Sequence, residues 1–178
     1  HHKPITSGEA NRNTKNECGG ADDFRNMIYV MGDPAMRLAV PLYNVVTDSI
    51  NGISVTDHTD TLRALSLVTV SGHIENNYGN FLPDFNGSLY PSVYDKKTTE
   101  HTLQNDPDSR YYEFQVQKNI LFKGNVTVKD GRFTFSFILP KDINYVYGPG
   151  KISYYAYSRN AEAAGSFREA IVGGMSDT

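Results

Sequence analysis

The chain carries one thiol, Cys18, so any cysteine-dependent chemistry must begin there. A catalytic cysteine reacts as the thiolate and needs its pKa lowered by a cation, a helix N-terminus or a neighbouring imidazole. Cys18 instead opens the run Cys18-Gly19-Gly20-Ala21-Asp22-Asp23 with Glu17 before it, and those carboxylates raise a thiol pKa. His58, His73 and His101 lie further along the chain, and His1 and His2 stand at its start as a tag remnant or authentic sequence. The histidines do not show the spacing of two or four residues on one element that marks metal ligands. Asp57-His58-Thr59-Asp60 and Asn105-Asp106-Pro107-Asp108 bring oxygen ligands close together, but neither has the spaced acidic positions and closing Glu of a calcium loop. Both read as Asx turns. Gly32-Asp33-Pro34 offers too few backbone N–H donors to cradle a phosphate. The expectation is therefore no catalytic residue, no metal site and no cofactor.

Tyr155 and Tyr157 are the candidate binding residues. They alternate with Ile152, Tyr154 and Ala156 in a strand-like run, so they occupy the opposite face. Facing outward, paired tyrosines stack on a sugar or anchor a protein surface. With the faces inverted, they form the inside of a sandwich, and period two alone leaves both readings open.

The elements that position these residues are mostly strands. Twelve Tyr, nine Phe, fifteen Gly and eight Pro in 178 residues favour β-structure with many turns. The net charge of −3 argues against a nucleic-acid partner, and no apolar run reaches the roughly 20 residues of a membrane span. Asp130-Gly131 is a two-residue turn signal. It predicts a hairpin with Val128 opposite Phe133 and Val126 opposite Phe135, in which Ile120, Phe122, Val126 and Val128 share one face and Phe133, Phe135 and Phe137 the matching one. Val68, Val70 and Ile74 alternate likewise, as do Tyr112, Phe114 and Val116. Gly87 to Asp95 reads as a strand interrupted by Pro91 at an edge or bulge, and Lys151 to Ser158 as another strand. Asn160 to Gly165 reads as one helical turn, and Phe167 to Val172 as a last short strand. Near the start, Thr6-Ser7 followed by Glu9-Ala10 marks a weak helix with a Ser or Thr N-cap. Met27 to Met31 reads as a strand buried on both faces, followed by an extended stretch from Ala35 to Val40. Val45 to Thr61 reads as a hairpin or linker. Strands after Leu65 at regular turn spacing fit an immunoglobulin-like sandwich, although the chain has neither the Trp nor the Cys pair of antibody domains.

Two stretches carry a family resemblance. Asp23 to Pro41, with Ser7-Gly8-Glu9-Ala10 and Thr14-Lys15-Asn16 before it, resembles the segment that ends the peptidase domain of gingipain-type (family C25) cysteine peptidases. The second stretch includes Val70-Ser71-Gly72-His73-Ile74, Val93-Tyr94-Asp95-Lys96, Gly131-Arg132-Phe133, Pro140 to Tyr145 and Gly150 to Ala156. It is similar to the immunoglobulin-like module that follows that domain in the type IX secretion sortases, the C-terminal signal peptidases of Bacteroidota. The resemblance implies an all-β immunoglobulin-like β-sandwich (65–178) preceded by a short α/β tail of a caspase-like peptidase domain (3–46), with 47–64 as linker or hairpin. It implies a cell-surface, Gram-negative location and a partnership with the upstream peptidase domain, secreted cargo or other secretion components. The family's catalytic His and Cys belong to a part of the peptidase domain before the matched tail, so no catalytic residue is carried over. A carbohydrate-binding or adhesion module is the rival expectation.

Overall fold

The computed structural model describes residues 5–17, 27, 29–57 and 60–176, in two compact units, 1–40 and 41–178. Cys18, its acidic loop, His1, His2 and His58 lie outside the described residues.

In the first unit, Thr6 and Glu9 cap helix α1 (Ser7–Glu17) reciprocally. The Glu9 N–H donates to Thr6 Oγ1 at 3.1 Å, and the Thr6 N–H donates to Glu9 Oε2 at 2.8 Å. This capping box starts a helix that has no buried residue. The return chain is tied to the helix start: the Ser7 and Gly8 N–H groups donate to the carbonyls of Met36 and Pro34. The strand expected over Met27 to Met31 does not form across the described residues 29–31, and Tyr29 and Met31 are exposed. A run buried on both faces needs strands on either side, and the described residues of this unit supply only a single bridge, Thr6 to Arg37.

The second unit is the all-β sandwich. Its first layer runs β10 (Arg132–Ile138), β4 (Leu67–Asn76), β1 (Tyr43–Ile50), with β2 (Ile53–Ser54) hairpinned to β1. The second layer runs β13 (Glu162–Phe167), β12 (Lys151–Ser158), β5 (Gly87–Tyr94), and β5 is flanked by β8 (Ile120–Lys123) and β9 (Val126–Val128). A short parallel pairing, Tyr43 with Ala163 and Asn44 with Ala164, joins the layers into one continuous sheet. A small sheet, β11 (Gly148–Pro149), β14 (Ile171–Met175), β3 (Thr61–Ala64), adds Leu62, Ala64 and Val172 to the core. Strand formation therefore begins well before Leu65. The described residues among 47–64 hold the end of β1, the Asn51-Gly52 turn, β2 and β3.

The core follows the alternation. Val68, Val70 and Ile74 meet Phe133, Phe135 and Phe137 on the inner face of the first layer. Phe122 crosses from the second layer to stack on Phe135 and Phe137, with ring centroids 5.8 and 4.6 Å apart. The Asp130-Gly131 turn forms with both φ angles positive, at 49° and 71°. The expected ladder stops at its first rung, Lys129 to Arg132. Beyond it β9 pairs with β5 and β10 pairs with β4, so the turn passes the chain from one layer to the other. Facing layers let both apolar faces bury against each other, which a flat hairpin could not do.

Four further expectations are corrected. β5 is a central strand, and Pro91 is fully buried within it. The Pro91 carbonyl accepts from the Gly124 N–H at 3.2 Å, so the missing proline donor faces the break between β8 and β9 and leaves no ladder bond unmade. Ile120 is exposed and Leu121 buried, because the β5–β8 register shifts between Val93 and Tyr94 and the bulge turns Leu121 inward. Glu162–Phe167 is strand, not helix: its alanines pair with β12, and tertiary pairing overrides helix propensity. Tyr112 and Phe114 do not reach the core. They lie on the outlying hairpin of β6 (Thr98–His101) and β7 (Glu113–Val116), where Tyr112 is 67% exposed.

Candidate functional site

Tyr155 and Tyr157 face outward. Ile152, Tyr154 and Ala156 occupy the inner face of β12 and are buried, whereas Tyr155 is 41% and Tyr157 44% exposed. The strand register places Tyr155 directly across from Tyr90 of β5. The Tyr90 ring stacks on Tyr157, with centroids 6.0 Å apart and planes 9° from parallel. Tyr90 is thus a third member that the sequence pattern around β12 could not supply. It comes from β5, about 65 residues earlier in the chain. The Tyr157 hydroxyl beside it, then partial burial, raise the Tyr90 pKa. Burial and the Glu162 carboxylate do the same for Tyr155. Both phenols therefore remain neutral, able to donate and accept, across the whole physiological range.

Beside these rings lies an open groove of about 540 Å³, bounded by Tyr90 and Tyr155 on one side and by Lys123 and Asn125 at its end. Ser92 and Ser153, a register pair, form its floor. Across the floor from the tyrosine pair, Lys151 Nζ sits 4.4 Å from the centre of the Tyr94 ring. Aromatic faces, hydroxyls and ammonium groups on one sheet face can bind a polar ligand with apolar patches.

The described histidines, His73 and His101, are engaged otherwise. His73 Nδ1 lies 2.7 Å from Asp48 Oδ1, and Nε2 lies 3.8 Å from Glu75 Oε2. Its ring meets Phe81 edge-on at 5.8 Å, and the Arg132 guanidinium lies over the other ring, 4.7 Å from the Phe81 centroid. Asp48 reaches His73 because β1 bulges between Thr47 and Ser49. His101 stacks on Tyr111 on the outlying hairpin. Among the described residues, no group of three or more His, Cys, Asp or Glu side chains is placed to hold a metal ion. Asp106 sits in a turn closed by the Ser109 N–H. Asp60 accepts from the Asn51 side chain and from the Thr61 N–H.

A buried ionic knot was not visible in the sequence. Asp95 Oδ1 accepts from both the backbone N–H and Nζ of Lys96 at 2.8 Å, and Asn119 reaches Oδ2 at 3.4 Å. Lys96 Nζ also donates to the carbonyls of Asn144 and Val172. Burial pushes the Asp95 pKa up, but the Lys96 hydrogen bonds and charge outweigh it and hold the carboxyl below its usual range. Among the described residues, no helix is long and apolar enough to cross a membrane.

Comparison with solved structures gives a likeness over nearly the whole chain. The chain is similar to a segment of PorU from Porphyromonas gingivalis, solved as a crystal structure of the dimeric latent protein. The identity is 29% and the TM-score 0.66, over 97% of this chain and 17% of the PorU chain. Neither the protein-family models nor the curated proteins gave a match. The chain is thus similar to a PorU segment and spans a small part of that protein's length.

Proposed function

We propose that this chain is a non-catalytic module of a larger PorU-like protein: the end of a C25-type cysteine peptidase domain followed by a β-sandwich that braces it or docks its cargo. The carrying observation is the coverage, 97% of this chain against 17% of the PorU chain. The histidine geometry supports it: His73 is held between two carboxylates, with its Nδ1 2.7 Å from Asp48 and its Nε2 3.8 Å from Glu75. A location on the outer surface of a Gram-negative cell and membership of a type IX secretion machinery follow from the same reading. The PorU structure is dimeric, and self-association of the parent protein is part of the proposal.

The test is an assay of the purified chain on peptide and secreted-cargo substrates under reducing conditions, beside a PorU-like peptidase as positive control. The expected result is no turnover by the chain. Turnover that Cys18→Ala abolishes would overturn the proposal.

A further inference from the structure

We propose that the outer face of β13–β12–β5–β8 is a binding trench for an oligosaccharide, a site that stands whether or not the chain belongs to a peptidase. The register builds it row by row. Residues paired across neighbouring strands share a face, so Lys123, Ser92, Ser153 and Ser166 form one continuous row across four strands. Two residues along in one direction stands the Tyr90–Tyr155 row, and two residues along in the other stands Tyr94 with Lys151. At about 3.3 Å per residue these walls are about 13 Å apart, and four strands at about 4.8 Å give the floor a comparable length. Over β5 and β12 the floor is serine (Ser92, Ser153) while Tyr90 and Tyr155 stand on one side and Tyr94 and Lys151 on the other, which makes a trench on an otherwise flat sheet.

The chemistry of the floor selects the ligand. The hydroxyls of Ser92, Ser153 and Ser166 make no hydrogen bond among the described residues, so each retains a donor and acceptors for a ligand. Protein–protein interface cores are depleted in Ser and Lys, which argues against a protein partner seated on this row. A sugar chain presents hydroxyls at its ring edges and C–H groups on its ring faces. The serine row, with Lys123 and Asn125 at one end, meets the former, and the Tyr155 face meets the latter. The groove volume, about 540 Å³, lies within the range of small-ligand sites.

The test uses the full chain on a panel of neutral and acidic oligosaccharides, followed by titration calorimetry with the strongest binder. Saturable binding is expected, weakened at least tenfold by Tyr155→Ala and by Ser153→Phe, which fills the floor without removing a tyrosine. Tyr78→Ala, an exposed tyrosine on the turn after β4, leaves the affinity unchanged. Unfolding midpoints establish that each variant is folded, and Tyr90→Ala replaces Tyr155→Ala if the latter is not. No saturable binding across the panel overturns the proposal. So does binding that survives both trench substitutions, or binding of peptides and not sugars.

Discussion

Phe135 packs between Phe133 and Phe137 on β10 and against Phe122 from the opposite layer, and little of it reaches solvent. Its neighbour Thr134 points away from the core and is exposed. Phe135→Ala is expected to cost about 3–5 kcal/mol, and Thr134→Ala no more than about 0.5 kcal/mol. Chemical denaturation of the two variants checks this, and equal losses would refute the inner-face assignment. Gly131→Val should be worse than a turn substitution alone, because two constraints meet there. Its φ is +71°, and a Cβ would lie 2.1 Å from the Leu82 carbonyl oxygen. The first constraint is legible in Asp130-Gly131. The second is not, because Leu82 arrives from a distant loop. The same holds for Tyr154, whose hydroxyl bonds Thr47 at 2.7 Å inside the core, and whose pKa burial raises strongly. Period two placed Tyr154 opposite Tyr155, but only the assembled layers decide which of them is inside.

At the scale of elements, the Asp95–Lys96 knot ties the end of β5 to the 144 loop and to β14. Lys96→Met would leave the buried Asp95 carboxylate without its cation, and a loss of about 3 kcal/mol is expected. Because the folded Asp95 pKa is depressed, its contribution is complete above the usual carboxylate range. It is lost as the pH falls through the depressed value. Denaturant unfolding of the parent chain should therefore weaken below about pH 4, and the Asp95→Asn variant should show a shallower decline. Identical pH profiles would contradict the knot. Elements with a clean alternation, β4, β10 and β12, were readable from sequence, because one buried face specifies the register. The parting of β9 and β10 is not legible in the sequence, because a local turn signal does not say whether the strands stay together or part into two layers. Tyr112 and Phe114 misled for the complementary reason: alternation shows that a face is apolar, not that this chain covers it.

At the scale of the whole molecule, the second unit contains the buried core, while Met36, Leu38 and Val40 of the first are exposed. Large apolar side chains left in water favour association. The full chain is expected to show concentration-dependent self-association by light scattering, and a chain beginning at Pro41 to remain monomeric with an unchanged unfolding midpoint. A monomeric full chain, or a destabilised shorter one, would count against two separately folded units. The likeness to a PorU segment gives those exposed residues a natural setting within a longer polypeptide, which is the central claim of the proposed function. An immunoblot of the source cells, using antibody raised against the sandwich, tests that claim most directly. The account predicts a surface-fraction product several-fold longer than 178 residues; a free-standing product of this chain's own size would contradict it.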